Sequence, residues 1–250
     1  MTSSKPTTWG LDGDIICYSV GFAAEDDPVG YALLSARQMI QGIVNECGAE
    51  GVVFLTGDTN FRKEYGCDKW PYKGQRKETK KPRHLQAIRT YLIEQLDAVV
   101  SDNEEADDLM SINAVQNGWG IATLDKDLNG CPGWHYNWRK EETYYVTETE
   151  ANRFFYTQML TGDPTDNIPG LFKMVGTKAS AKIKAPLESM TNPVEMYEYV
   201  RKVYSRGYDK VGMCLDEKEE VLDGWLVRIG RQLWMRREVG EMWEFPNDNP

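Results

Sequence analysis

Apolar positions along the first half of the chain alternate between short runs and longer stretches with helical spacing. Four short runs have strand character: TTWGLD, GVVFLTGD, DAVV and WGIATLD. Between them, residues 31–46, 84–96 and 105–116 carry apolar side chains at helix period. Strands alternating with helices predict an α/β fold built of βαβ units around a mostly parallel sheet. Beyond residue 129, the aromatic runs GWHYNWRK and TYYVT read as a short hairpin or edge strands. Helices are expected over 148–160, 193–205 and 217–236, with two short ones meeting around Gly170 and Gly176. There is no repeat, low-complexity segment or evident linker.

Acids follow these strands. TTWGLD ends in Asp12, GVVFLTGD in Asp58, and WGIATLD in Asp125 with Asp127 two residues later. The fourth strand leads into NEEADDLM, which sets Glu104, Glu105, Asp107 and Asp108 at the start of a helix. Negative charge suits a helix N-terminus, and Asp102 as N-cap with Glu105 three residues on would form a capping-box-like pair. The remaining acids sit at i,i+3 and i,i+4 spacing and repel. In parallel sheets ligands gather outside the carboxyl ends of the strands, so these acids are expected to converge there. One acid after one strand is ordinarily a turn or cap residue. Acids at every core strand end would repel in a partly desolvated cleft unless a cation lay among them. An all-oxygen donor set favours Mg²⁺ or Mn²⁺ over zinc. The two histidines, His84 and His135, lie outside the acidic motifs and read as packed or surface residues.

Charge distribution adds a partner. The 250-residue chain carries −10, yet residues 62–89 hold ten Lys/Arg against three acids, giving this segment +7 and the remainder −17. A basic block beside concentrated carboxylates suits a metal-dependent enzyme acting on a polyanion, although a basic run is more often a solvated surface. The five cysteines are scattered without a C-x-x-C pair, arguing against a disulfide framework or structural zinc. No run of 18 apolar residues and no apolar segment near the N-terminus is present, so the expectation is a cytoplasmic protein without a membrane span or signal peptide. Glycines between short helices, followed by Lys178 and Lys182, fit a backbone turn approaching a phosphate, with a helix C-cap as the ordinary alternative.

In order along the chain, LDGD, TGDTNFRKEY, YKGQRK, EEADDLM, TLDKDL, TGDPTDNIPG and VGTK resemble the motifs of the 5′-nuclease family. That family includes flap endonucleases, the 5′-nuclease domain of bacterial DNA polymerase I and the compact phage 5′→3′ exonucleases, to which the likeness is closest in type. The resemblance implies a PIN-like core with flanking helices, a helical arch or gateway and a C-terminal helix–hairpin–helix subdomain. It implies two metal ions: Asp12, Asp58, Glu105, Asp107 and Asp108 for the first, Asp125, Asp127, Asp163 and Asp166 for the second. By the same likeness Lys73 and Arg76 stabilise charge on the reacting phosphate, and Tyr72 stacks a terminal base; local packing against Trp70 or Pro71 is its equal alternative. Arg62, Lys63, Lys77, Lys80 and Lys81 would contact phosphates, while Gly170, Gly176 and Lys178 would belong to the hairpin gripping the duplex, often around K⁺. The hairpin departs from the usual G-x-x-G-x-G, with Lys173 and Met174 where the middle glycine is expected.

These implications divide the chain into a nuclease core at 1–160, with its basic arch at 62–100, and a DNA-binding helical part at 161–250 packed on it. The expected activity is 5′→3′ hydrolysis of duplex DNA from a 5′ end, flap or nick, releasing 5′-phosphorylated nucleotides. RNA–DNA hybrids are a further substrate class, the acting species a monomer, and replication proteins are candidate partners. The alternatives are a PIN-type ribonuclease, which gives no role to Asp163 and Asp166, and a DNA-junction binder without catalysis.

Overall fold

The structure is a computed structural model that describes residues 4–48, 50–210 and 215–246, with the side chains of residues 77, 78, 210 and 215–220 outside that description. It divides into two compact units: 1–60 with 79–147 and 235–241, and 61–78 with 148–234 and 242–250. Helix 148–161, read with the nuclease core in the sequence, groups with the second unit, as does the first part of the basic segment.

The first unit is a six-stranded sheet. Its strands are β1 (Thr8–Asp12), β2 (Glu50–Leu55), β3 (Val99–Val100), β4 (Gly120–Ala122), β5 (Gly133–Asn137) and β6 (Glu142–Val146). They lie in the order β3-β2-β1-β4-β5-β6, and all neighbours are parallel except the β5–β6 hairpin. The two aromatic runs therefore extend the main sheet: β5 pairs in parallel with β4, Ile121 opposite His135. Side chains alternate across β1 and β2. Leu11, Val53 and Leu55 pack on one face with α1 (Gly13–Ala23), α2 (Val29–Cys47) and α3 (Leu85–Leu96). Phe54 and Ile121 pack on the other face with Met110 and Ala114 of α4 (Ala106–Asn117). Helix α1 has no counterpart in the predicted elements. Its sequence, GDIICYSVGFA, is largely apolar and follows a strand directly, so period alone cannot separate it from that strand.

The second unit is helical: α5 (Glu148–Thr161), α6 (Leu171–Val175), α7 (Ala181–Ser189), α8 (Pro193–Lys210) and α9 (Leu215–Leu233). Phe155, Met159, Leu171, Met196, Val200, Tyr204, Leu226, Ile229 and Trp243 form its core. Residues 61–65 and 74–78 add two short 3-10 turns. The two short helices expected around the glycines are α6 and α7, joined by residues 176–180.

Candidate active site

Strand β1 runs into Asp12, which is only 3% exposed. As N-cap of α1 its carboxylate accepts from the Ile15 N–H at 3.0 Å, and the Thr123 hydroxyl donates to its other oxygen at 2.7 Å. Burial first, and then the charges of Asp14 and Asp125, raise its pKa from 3.8 to about 7, against the lowering effect of those two hydrogen bonds. The ends of β1 and β4 thus bring carboxylates into electrostatic reach of one another. Asp125 caps the 3-10 turn Lys126–Gly130 by accepting from the Asp127 N–H at 2.9 Å.

Asp14, the second acid of LDGD, accepts from the Thr56 N–H at 2.9 Å and from Arg89 at 2.6 Å. Arg89 also donates to the Thr56 carbonyl at 2.6 Å, clamping the end of β2 to the start of α1. This cation, counted with the basic segment, serves the acidic edge itself. Asp58, beyond the end of β2, is exposed.

The acidic helix start has an answer the spacing does not contain. Glu105, not Asp102, is the N-cap of α4, and its reciprocal partner is Asp108, which accepts from the Glu105 N–H at 3.0 Å. Asp102 accepts from the Thr59 hydroxyl at 3.1 Å instead. Glu105 accepts from the Asn60 amide at 2.6 Å. Glu104 is buried and ion-paired at 3.0 Å with Arg236, whose backbone N–H donates to Asp108 at 3.2 Å. Asp108 is fully buried with both oxygens so engaged, so it sets the helix start rather than presenting an oxygen to an ion. Asp107, between them in sequence, is half-buried.

In the second unit, Asp163 and Asp166 flank the turn of TGDPTDNIPG. Asp163 is buried, bridges Ile168 through both backbone groups and accepts from the Thr165 N–H at 2.7 Å. Asp166 accepts from the Tyr72 hydroxyl at 2.9 Å, pairs with Arg76, and lies 3.6 Å from the Lys73 ammonium. Gln75 donates to the Pro164 and Thr165 carbonyls at 2.7 and 2.8 Å. YKGQRK and TGDPTDNIPG, ninety residues apart, are therefore one local assembly holding Lys73, Arg76 and Asp166 together.

Three predicted DNA contacts fall elsewhere. Arg62 is 1% exposed, and its guanidinium donates to the carbonyls of Gln232 at 3.0 Å and Trp234 at 2.7 Å. It closes the end of α9 and has no surface to offer a phosphate. Arg62→Met should therefore lower stability by roughly 2–4 kcal/mol, since two carbonyls lose a charged donor. Urea unfolding reads the loss, while the salt dependence of DNA binding should stay unchanged. Tyr72 is 7% exposed within the helical core, so its ring packs inside rather than forming a stacking platform. Gly170 is buried where a Cβ would stand 2.2–2.4 Å from the backbone of Thr161 and Gly162, so it is glycine because two backbones touch, not because a phosphate approaches. Gly176 is the left-handed C-cap of α6, φ +69°, and Lys178 is exposed in the turn after it. Lys63, Lys80 and Lys81 are exposed, Lys80 pairing with Glu25 at 2.8 Å; the side chain of Lys77 lies outside the described residues.

The donor chemistry suits a hard divalent cation: Asp12, Asp14 and Asp125 offer only carboxylate oxygen, and desolvated like charges gain from an ion placed among them. Among the described residues, no three His, Cys, Asp or Glu side chains stand close enough to hold an ion as they are oriented. Also among these residues, no helix is long and apolar enough to cross a membrane.

No family model matches the sequence, and no curated protein matches it. Solved structures do. The T5 D15 protein, crystallised with metal ions, is 17% identical with a TM-score of 0.57, covering 90% of this chain and 89% of that one. The catalytic core of Rad2 in complex with DNA substrate is 12% identical with a TM-score of 0.54 over 97% of this chain and 84% of that one. A second Rad2–DNA complex is 13% identical with a TM-score of 0.51, covering 89% and 71%. At these identities the likeness establishes the fold. The mostly parallel, helix-flanked sheet expected from the 5′-nuclease motifs is the fold these structures share with this chain.

Proposed function

We propose that this chain is a divalent-metal-dependent 5′-nuclease: a 5′→3′ exonuclease on duplex DNA that releases 5′-phosphorylated nucleotides and also cuts 5′ flaps. The observation that carries the reading is the buried Asp12 carboxylate at the end of the central strand, with Asp14 and Asp125 acting on it. The fold adds support, since solved structures that share it hold metal ions in one case and a DNA substrate in another.

Asp12, Asp58, Glu105 and Asp107 are assigned to one ion and Asp125 and Asp127 to a second, with Mg²⁺ or Mn²⁺ as the matching metals. When bound, such ions lower the pKa of water and neutralise charge on a scissile phosphate. The chain's own residues prepare the ground for this. Thr123 and the Ile15 N–H hold Asp12 in one rotamer. Arg89 holds Asp14 against Thr56, and Asp108 with Arg236 sets the first turn of α4, from which Glu105 and Asp107 project. Lys73 and Arg76, which both face Asp166, are assigned to the developing negative charge, where a guanidinium can bind phosphate bidentately. Lys63, Lys80, Lys81 and Lys178 add sequence-independent phosphate contacts, so activity should fall steeply with salt.

The test uses a duplex labelled separately at each end, with or without a 5′ flap, in Mg²⁺ or EDTA, and an RNA–DNA hybrid beside it. Metal-dependent release of 5′-terminal nucleotides from the unflapped duplex is the expected result, with an additional flap-length product from the flapped one. Salt-sensitive binding without cleavage in Mg²⁺ or Mn²⁺ would sink the catalytic reading and leave a junction-binding protein.

A further inference from the structure

We propose that the cleft between the turn after β4 and the β5–β6 hairpin is a nucleotide subsite, seating one phosphate of the DNA strand on Lys126, Arg139 and Lys140. The proposal rests on the nuclease reading for its ligand and on the first unit's own geometry for its site. The cleft encloses about 440 Å³, and its wall begins at Thr123 and Asp125 and runs along the hairpin. That volume suits a single nucleotide unit.

Charge selects the ligand. Lys126, Arg139 and Lys140 line one cleft with Asp125 and Glu142, and among the described residues none of the three cations makes an ion pair. Cations that share a wall with carboxylates and stay unpaired are spaced to receive an anion brought from outside. The geometry is also held. Asn137 accepts from the N–H groups of both Arg139 and Lys140 at 3.1 Å, closing the hairpin turn that carries the two cations. Tyr144 donates its hydroxyl to the side-chain Oδ1 of Asn129 at 2.9 Å, which leaves the Asn129 side-chain amide hydrogens for an acceptor on phosphate, sugar or base. An anion seated here lies along the same cleft wall as Asp125, so the subsite would fix the register of the strand beside the acids.

The test is binding in EDTA, where no cleavage occurs, of a dye-labelled single-stranded oligonucleotide across a salt series, using the full chain. Arg139→Gln/Lys140→Gln should weaken binding about tenfold at low salt and reduce the slope of log K against log[salt] by about 0.7, the value for one lost phosphate contact on a single strand. The charge-matched control, Lys5→Gln/Arg37→Gln, replaces exposed cations away from the cleft and should change neither. Unchanged affinity and slope in the hairpin variant, or an equal loss in the control, would overturn the subsite. Amide exchange on the unaltered protein needs no variant: added oligonucleotide should slow exchange across 133–146, and no slowing there would also overturn it. Cleavage by the unaltered protein with normal binding by the hairpin variant would leave the nuclease and remove the subsite. Absent cleavage with weakened binding by that variant would do the reverse.

Discussion

Asp12→Asn should reduce metal-dependent cleavage by roughly 10²–10³-fold while raising the melting temperature of the metal-free protein at pH 8. Both effects come from one carboxylate. In the folded protein, burial and the charges of Asp14 and Asp125 lift its pKa to about 7, from 3.8 for the free group. Below pH 4 the group is protonated folded or unfolded, and its full contribution to stability is present. Between pH 4 and 7 the folded state keeps a proton that the unfolded chain has lost, so stability falls as pH rises. Above pH 7 both states are ionised and the loss is complete, on the order of 4 kcal/mol. Asparagine cannot ionise and keeps an oxygen for Thr123 or Ile15. It should therefore escape this loss and melt several degrees higher than the native sequence at pH 8, with the gap closing toward pH 4. Added Mg²⁺ should stabilise the native sequence at pH 8 and have little effect on the variant. A variant that melts lower than the native protein at pH 8 without metal would show that the Asp12 charge is not a burden, and would remove the reason to place a cation beside it.

Arg236→Ala should cost about 3–5 kcal/mol of stability, among the largest effects of any single substitution outside the apolar cores. Both members of the Glu104–Arg236 pair are buried, their side chains 10% and 8% exposed. Alanine leaves a buried carboxylate without its cation and frees the Glu241 carbonyl, to which Arg236 Nε donates at 2.9 Å. Removing both charges should hurt less: Glu104→Leu/Arg236→Met should recover much of the loss, because a buried pair costs nearly as much to desolvate as it returns. Urea unfolding of Glu104→Leu, Arg236→Met and the double variant closes the cycle. Additive single effects would mean that the two groups do not act as a pair. Activity should fall with Arg236→Ala as well, because losing the side-chain hold on Glu104 and the Glu241 carbonyl loosens the segment whose backbone N–H, retained by alanine, positions Asp108 and the first turn of α4.

How far the fold was legible depended on which signals are local. Strands β1, β2 and β4 each occupy one short apolar run, and α3, α4 and α5 each show apolar positions at helix period, so their type and approximate place could be read. Helix α1 could not, because an apolar helix that follows a strand without a turn leaves no break in the pattern. The acids at the strand ends were legible because a parallel sheet obliges its strand ends to share an edge. The resemblance supplied motif order, and with it the fold that the solved structures share. Lys73 and Arg76 belong to that motif order, whereas charge alone marks Arg62 and its neighbouring lysines as phosphate contacts, and at Arg62 charge alone misleads. Nothing in FRKEY distinguishes the arginine that closes the end of α9 from the lysine beside it that faces water.

The chain's own pattern thus determined the class of fold, the order of its elements and the edge on which carboxylates collect, since period and strand direction are properties of neighbouring residues. Tertiary structure alone decided which charges meet one another within the protein. Arg236 meets Glu104 across 132 residues, and Arg76 meets Asp166 across 90. Arg89 reaches Asp14 across 75. Each of these partnerships is set by where folded segments cross, and for Arg236 with Glu104 burial then fixes its strength by removing the water that would otherwise screen it.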